Sequence, residues 1–336
     1  VIDRYSRQAL FSEIGEEGQK KLSSSSVAVI GCGALGTVIA TSLVRAGVGK
    51  IRIIDRDFIE YHNLQRQVLF DEEDIKAQLP KAVAAERHLK KVNSSIEIEG
   101  VVADVNYTNI ERLVAGADII LDGLDNFETR FLINDVSLKH RIPWVYGGAV
   151  AASGMTMNII PGETPCFRCL YSGSAGRSIA LTCDTAGVIN PAPFIVASLQ
   201  TAEAMKILVG AEEINRDIMV IDVWRSEFRR LKIGRRADCL ACGGKYEFLE
   251  ARSGTRTTSL CGQNSVQVLN PEAIGIPFEE LAKRLSPLGE ISYNEFMLRF
   301  VVDSHEMVIF PDGRAIVKNT NDEALARGLY AKYIGV

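Results

Sequence analysis

The chain has 336 residues, 47% of them hydrophobic and 24% charged, which is enough for one large or two ordinary domains with a packed core. Lys+Arg 38 against Asp+Glu 42 leaves a formal charge of -4, so no global basic field draws the chain to nucleic acid or an anionic membrane. No apolar run reads as the roughly 20 residues of a membrane span, and the charged opening stretch VIDRYSRQALFSEIGEEGQKK lacks a signal-like apolar region, so a soluble cytoplasmic protein is expected.

In chain order, residues 7–22 place Leu10, Phe11, Ile14 and Leu22 at helical spacing. VAVIG (27–31) is a short continuous apolar run, the pattern of a strand buried on both faces. It passes through a Gly-rich turn into ALGTVIATSLVRAG, a helix ending near Gly47. KIRIID (50–55) is the next strand. IEIEGVVAD opens a second strand–helix pair, and ADIILDGLD (117–125) a third whose helix starts near Asn126, before the strand PWVYGGAV. This alternation predicts an α/β fold with a doubly wound, mostly parallel, Rossmann-like sheet. The alternation stops after the strand-like GMTMNIIP (154–161). PAPFIVASLQTAEAMKILVG then reads as a long helix, apolar nearly all round and therefore buried or at a subunit interface. DIMVIDVW and EFRRLKI follow as strands, and Trp144 and Trp224 read as core. The polar stretch 251–259 reads as a linker between residues 1–250 and a small α+β extension over residues 257–336.

Gly31-Cys32-Gly33-Ala34-Leu35-Gly36 is a G-x-G-x-x-G turn between a strand and a helix, where glycines admit a ligand's phosphate to the helix N-terminus. Asp55 follows Gly36 by 19 residues, at a strand end where a carboxylate accepts ribose hydroxyls. NLQRQ (63–67) then supplies Asn63 and Arg66, and Lys81 follows a Pro at a helix start. Two cations near one phosphate site suit a triphosphate better than the pyrophosphate of a dinucleotide. Asp125 at the end of the third strand is placed to hold magnesium or to cap the next helix.

The seven cysteines are an odd number and suit metal ligation or reactive thiols better than a disulfide framework. Cys166-x-x-Cys169 and Cys239-x-x-Cys242, with 69 residues between the pairs, suit a closed, all-thiolate structural zinc site. Cys183, in LTCDTAGV after a Gly/Ser-rich stretch, stands apart. Cys32 reads as a small packing residue, and Cys261 as a buried structural one.

RYSRQ (4–8), GCGALG, Asp55, NLQRQ, LPK (79–81), LDN (124–126), PCFRC, LTCDTAGV and CLAC, in this order and spacing, resemble the ThiF/MoeB/HesA family, bacterial relatives of the ubiquitin-activating enzymes. The resemblance covers roughly residues 1–250. It implies a nucleotidyltransferase that uses ATP and magnesium to adenylate the C-terminal glycine of a ubiquitin-like sulfur carrier, in thiamine biosynthesis or a related molybdopterin or tRNA-thiolation pathway. A cysteine desulfurase would then serve as sulfur donor. Carried over by position, Gly31, Gly33 and Gly36 lie against the nucleotide and Asp55 binds ribose. Asn63, Arg66 and Lys81 contact the triphosphate, and Asp125 holds magnesium. Arg7 serves the neighbouring subunit's site in a homodimer, and Cys183 attacks the activated acyl group or joins a covalent link to the carrier. Alternatives are a peptide carboxylate or a carboxylated tRNA base as substrate, a non-catalytic carrier-binding scaffold, or an NAD-dependent oxidoreductase. The last would leave NLQRQ, Lys81 and the four cysteines without work.

Overall fold

The computed structural model describes residues 3–171, 186–250, 257–260, 264–268, 276–302 and 304–334. The chain divides into two compact units, Val1–Ser253 and Gly254–Val336.

The first unit is built on an eight-stranded sheet. Its strands are β1 (Ser26–Ile30), β2 (Lys50–Asp55), β3 (Glu97–Val102), β4 (Ile119–Asp122), β5 (Trp144–Val150), β6 (Ser153–Ile159), β7 (Ile218–Asp222) and β8 (Glu227–Leu231). They lie in the order β3-β2-β1-β4-β5-β6-β7-β8, the first five mutually parallel and the last three added antiparallel. In β1, Val27 faces Ile51 on one side and Ile119 on the other, and four consecutive residues are buried. A strand paired on both edges and covered on both faces has no solvent side, hence the unbroken apolar run. The chain steps outward from β1 to β2 and β3, then returns to the far side of β1 for β4. That reversal opens a crevice at the carboxyl ends of β1 and β4, where doubly wound sheets bind their ligands.

The crossover helices are Ala34–Ala46, Lys81–Val92 and Phe127–His140. The first ends on Gly47 in the left-handed region (φ 81°), which allows the chain to turn straight into β2. The single helix expected over 7–22 is two, Ser6–Ala9 and Gly15–Ser24. Gly15 at φ 59° cannot continue a right-handed helix, and the break falls there. The long helix Pro191–Val209 packs on Ala34–Ala46 and on β5 and β6. Contrary to the sequence expectation, its length and apolar composition do suit a membrane span, yet half of that stretch is buried inside the unit. Its fully buried Gln200 donates from Nε2 to the carbonyls of Asp122 (2.9 Å) and Val145 (3.1 Å), bridging β4 to β5. Trp144 is core as expected, but Trp224 is 77% exposed. β7 ends at Asp222, so Trp224 falls in the turn before β8 rather than in a strand.

The second unit is an antiparallel sheet, with β9 (Thr257–Leu260), β10 (Ser265–Val268), β11 (Glu290–Tyr293), β12 (Leu298–Val302), β13 (His305–Ile309) and β14 (Ala315–Lys318) in the order β11-β12-β13-β14-β10-β9. Helices Phe278–Leu285 and Glu323–Tyr333 share a core with alternate residues of its strands, among them Leu298, Phe300, Met307 and Val317. This is the α+β architecture read from the sequence, with a core of its own.

Candidate nucleotide site and cysteine cluster

The Gly-rich turn joins β1 to helix Ala34–Ala46 at the crevice, and its three glycines have different physical reasons. Gly31 has φ 90°, and a Cβ there would stand 2.6 Å from the Gly123 carbonyl oxygen. At Gly36 a Cβ would collide with the Gly31 carbonyl. Both are required by backbone packing, between β1, its helix and the turn after β4. Gly33 is different: a Cβ there would meet nothing nearer than 3.8 Å, so protein packing leaves space over the helix N-terminus. No side chain caps that helix, whose first amides stay available to an anion. Cys32 is buried, and burial together with the Asp55 carboxylate raises its thiol, which makes it a packing residue as read.

Asp55 closes β2 beneath this turn. Its Oδ2 accepts from the Cys32 amide (2.6 Å) and its Oδ1 from the Asp57 amide (2.7 Å), so it fixes the turn whatever else it binds. Burial raises this carboxyl, against the opposing pull of Lys81. Lys81 is the first residue of its helix and only 6% exposed. Its Nζ lies 3.3 Å from Asp57 Oδ2, and its amide donates to the Asp57 carbonyl (2.9 Å). Burial alone would lower its pKa, but the fields of Asp57, Asp55 and Asp125 outweigh that and raise it, so the ammonium stays charged. Arg56, paired to Asp104 at 2.7 Å, is held charged in the same way by Asp104 and Asp57.

Across the crevice, Asp122 ends β4 and its Oδ1 accepts from the Leu124 amide (2.8 Å). Arg130, from helix Phe127–His140, donates Nε to Asp122 Oδ2 (2.9 Å) and Nη2 to the carbonyls of Leu124 (2.5 Å) and Gly147 (2.8 Å). Its guanidinium also sits over the Tyr146 ring at 5.2 Å. This buried clamp ties the 123–126 turn to β5. The capping question is answered by the neighbour: Asn126 Oδ1 accepts from the Thr129 amide (3.0 Å), which leaves Asp125 exposed at the mouth of the crevice.

In the NLQRQ loop the side chains of Asn63 and Arg66 are engaged within the loop itself. Asn63 is buried and its Oδ1 accepts from the Glu60 amide (3.0 Å), capping a short 3-10 turn. Arg66 donates Nη1 to the His62 carbonyl (2.8 Å), folded against its own turn. The residue of this loop nearest the glycines is Gln67, 97% buried, whose Nε2 lies 3.8 Å from a Cβ placed on Gly33 and whose Oε1 has no hydrogen-bond partner. Sequence reading counted Gln67 only as one amide among several. The structure thus gathers Gly31, Gly33, Gly36, Asp55, Lys81 and Asp125 and adds Asp57, Gln67 and Arg130. The signals for the additions were slight: an acid two residues past Asp55, and the last letter of NLQRQ.

The two C-x-x-C pairs meet. Cys166 Sγ lies 3.8 Å from Cys169 Sγ and 3.6 Å from Cys239 Sγ, and Cys169 Sγ lies 3.7 Å from Cys242 Sγ. Four thiolates bonded tetrahedrally at ~2.3 Å to one metal stand about 3.8 Å apart, so the cluster has the size of such a site. Burial and the other three sulfurs raise the Cys166 thiol, and burial pushes Cys242 up to about 11. Cys169 is lowered although burial opposes it, because the Arg236 amide donates to its sulfur. A cation among them is what would allow all four to ionise together. Cys183 and Cys261 lie outside the described residues.

The sequence model of the ThiF family matches residues 5–241. The Bacillus subtilis sulfur carrier protein ThiS adenylyltransferase is 44% identical over the full length of both chains. The Escherichia coli sulfur carrier protein ThiS adenylyltransferase is 36% identical over 72% of this chain and 95% of its own. Among solved structures, Escherichia coli MccB with ATP aligns at a TM-score of 0.63 and 26% identity, over 72% of this chain and 75% of that one. The chain belongs to the ThiF family. It is an enzyme of the adenylyltransferase class, which decides between the triphosphate and dinucleotide readings of its Gly-rich turn.

Within this ThiF-family fold, Arg7 is not part of its own chain's crevice. Its neighbours in RYSRQ bind the C-terminal ends of two crossover helices: Gln8 Nε2 donates to the Ala46 carbonyl (2.9 Å) and Arg4 Nη1 to the Val92 carbonyl (2.9 Å). Ala46 is the last residue of the helix whose first turn faces the phosphate site, and thirteen residues of helix span about 20 Å.

Proposed function

We propose that this protein adenylates the C-terminal glycine of a small ubiquitin-like sulfur carrier of the ThiS kind, using ATP and releasing pyrophosphate, for sulfur transfer in thiazole formation for thiamine. The observation that carries the chemistry is the buried, charged Lys81 beside a helix N-terminus that Gly33 leaves open, with Asp125 exposed across the crevice. The carrier is inferred from the end-to-end identity with the Bacillus subtilis enzyme, which includes the second unit.

The carrier's terminal carboxylate is ionised at neutral pH and needs no general base. Its oxygen attacks the α-phosphorus, forming the acyl–phosphate bond as the bond to the β-phosphate oxygen breaks and pyrophosphate departs. What the protein must supply is position and positive potential where charge builds on phosphate oxygens. Lys81 and the amides at the start of Ala34–Ala46 provide both. Asp55 holds the turn and is placed for the ribose, while Gln67 brings its Nε2 to the same wall beside Gly33. Asn63 and Arg66 are assigned to the triphosphate side, where Arg66 would leave the His62 carbonyl to reach it. Asp125 would hold magnesium, a single carboxylate being a usual protein share of a magnesium–nucleotide site; when bound, the ion neutralises phosphate charge. Zinc at Cys166, Cys169, Cys239 and Cys242 would be structural, joining the segment after β6 to the segment after β8.

Arg7 is assigned to the partner's site in a homodimer, because about 20 Å of helix separates its anchorage from its own crevice. Exposed Leu10 (73%) and Phe11 (57%) beside it suit a subunit interface. A cysteine desulfurase is the expected sulfur donor for the adenylated carrier. Cys183 is assigned the acyl-transfer step. A peptide carboxylate is the second reading.

The test is intact mass of ThiS after incubation with the enzyme, ATP and magnesium. An AMP adduct with matching pyrophosphate release is expected, and Asp125→Ala should abolish it with the fold intact by circular dichroism. ATP turnover with a peptide and none with ThiS would replace the carrier with the second reading.

A further inference from the structure

The arm that carries Arg7 is held by more contacts than a surface segment needs. Tyr5 lays its ring against Gly47, where any Cβ would collide with it. Its hydroxyl accepts from Asn93 Nδ2 (2.7 Å), and the same amide donates to the Val44 carbonyl (3.0 Å). Asn93 is fully buried, and its Oδ1 accepts from Ser95 N and Ser95 Oγ (3.2 and 2.7 Å). On either side of Tyr5, Arg4 binds the Val92 carbonyl and Gln8 binds both the Ala46 carbonyl and Gln19 Oε1 (2.7 Å). Val44, Ala46 and Val92 are final-turn residues of two crossover helices, where carbonyls run out of intrahelical donors, and the Val44 carbonyl accepts as well from the capping Gly47 amide (3.3 Å). The arm therefore uses the helix C-termini as fixed acceptors, and the cation of Arg4 also suits their negative end. Between these anchors Arg7 is exposed, in a helix of four residues.

We infer that Tyr5 and Asn93 are positioning residues for catalysis in the other subunit: they set the direction in which Arg7 leaves this chain, and so the geometry of the partner's nucleotide site. The inference rests on the reading that Arg7 acts in trans. A cation stabilising charge on a triphosphate must be held to within a fraction of an ångström, and misplacement by about 1 Å costs on the order of a hundredfold in rate. A ring seated on a glycine and a hydroxyl bonded to a buried amide give that precision to an arm too short to fold alone.

The experiment uses full-length mixed dimers purified through two different affinity tags. One subunit carries Arg7→Ala with an intact crevice; the other carries Asp125→Ala with an intact arm. Only one site per dimer is then both intact and served by an arginine. Adenylation of ThiS is followed by pyrophosphate release. Tyr5→Ala introduced into the Asp125→Ala subunit is expected to lower kcat at least tenfold. Introduced into the Arg7→Ala subunit, it is expected to leave the rate unchanged. Tyr5→Phe, which keeps the ring on Gly47 and loses only the bond to Asn93, is expected to fall between wild type and Tyr5→Ala in the first placement. Equal losses in both placements would mean a general structural role, and a loss only in the site-bearing subunit would mean action in cis; either overturns the inference. A parent mixed dimer with no activity would instead overturn the trans role of Arg7 itself.

Discussion

Lys81 is packed as tightly as a core leucine, and it stays charged because three carboxylates face it. Removing it therefore does two separable things. Lys81→Ala strips the crevice of its buried cation, for an expected loss of 10²- to 10³-fold in kcat. It also removes the cation that Asp55 and Asp57 share, although Asp57 keeps Arg56 at 3.7 Å, a destabilisation on the order of 3 kcal/mol. Adding Asp57→Asn should recover much of the stability in a urea melt and none of the activity. Recovery of both would deny Lys81 a role at the phosphates. Asp135 gives a pH prediction of opposite sense to the usual carboxylate. It is fully buried on helix Phe127–His140, its Oδ2 accepts from the amides of Phe248 (2.9 Å) and Leu249 (3.4 Å), and Oδ1 has no partner. Burial lifts its pKa from 3.8 to about 6. The folded state binds this proton more tightly than the unfolded chain, so its stabilising share is complete below about pH 4 and is lost as pH rises through 6, on the order of 3 kcal/mol. Asp135→Asn keeps an oxygen for both amides and has nothing to ionise. It should be more stable than wild type at pH 8, with the gap closing towards pH 4; parallel pH profiles would refute this. Lys81 was legible because LPK names a helix start. Asp135, Gln67 and Arg130 were not, because each owes its role to what the fold brings beside it.

At the scale of the element, the turn from β1 into its helix shows where reading by spacing stops. G-x-G-x-x-G marks three glycines alike, yet two are required by backbone packing and the third is not. The crossing of β1, Ala34–Ala46 and the Gly123 turn requires Gly31 and Gly36, a fact of tertiary packing that no motif states. Gly33 faces open space. Gly36→Ala should therefore fail to fold, or melt several kcal/mol below wild type, since the contact is with backbone that cannot move aside. Gly33→Ala should keep the wild-type melting temperature and lose ATP affinity, because its methyl stands where phosphate approaches the helix amides. Calorimetric titration of both variants with ATP checks this, and a stable Gly33→Ala with unchanged affinity would place the phosphates elsewhere. The β7–β8 hairpin shows the same limit from the other side. DIMVIDVW alternates like a strand through Trp224, but pairing ends at Asp222, whose Oδ1 accepts from the Trp224 amide (3.1 Å) and turns the chain. An aspartate–amide turn of this kind outcompetes apolar periodicity at a strand end.

For the whole molecule, the informative comparison is between lengths. The Escherichia coli sulfur carrier protein ThiS adenylyltransferase aligns over 95% of itself with only 72% of this chain, so that relative has little length left for a second unit. The parallel sheet, the Gly-rich turn and the paired cysteines were legible because they recur in sequence as local patterns. The role of the second unit was not, since its hairpins and amphipathic helices carry only the instructions for a core. That core is closed on itself: alternate residues of β10, β12, β13 and β14 meet Phe278, Leu281, Leu285, Ala326 and Tyr330 from its two helices. The first unit likewise holds every described residue assigned here to catalysis and all four clustered cysteines. A chain ending at Ser253 should accordingly fold and melt in one cooperative step. It should keep four thiols shielded from a thiol reagent until a zinc chelator and denaturant are added together, and adenylate ThiS with kcat within about threefold of the full chain. Residues 254–336 alone should give a separate transition. If the truncated chain binds ATP as well as the full chain but its KM for ThiS rises more than tenfold, the second unit belongs to carrier recognition, and the end-to-end identity with the Bacillus subtilis enzyme gains a reason in shared carrier geometry. Failure of the truncated chain to fold would show instead that the two cores are thermodynamically one, despite the separate contacts that build each.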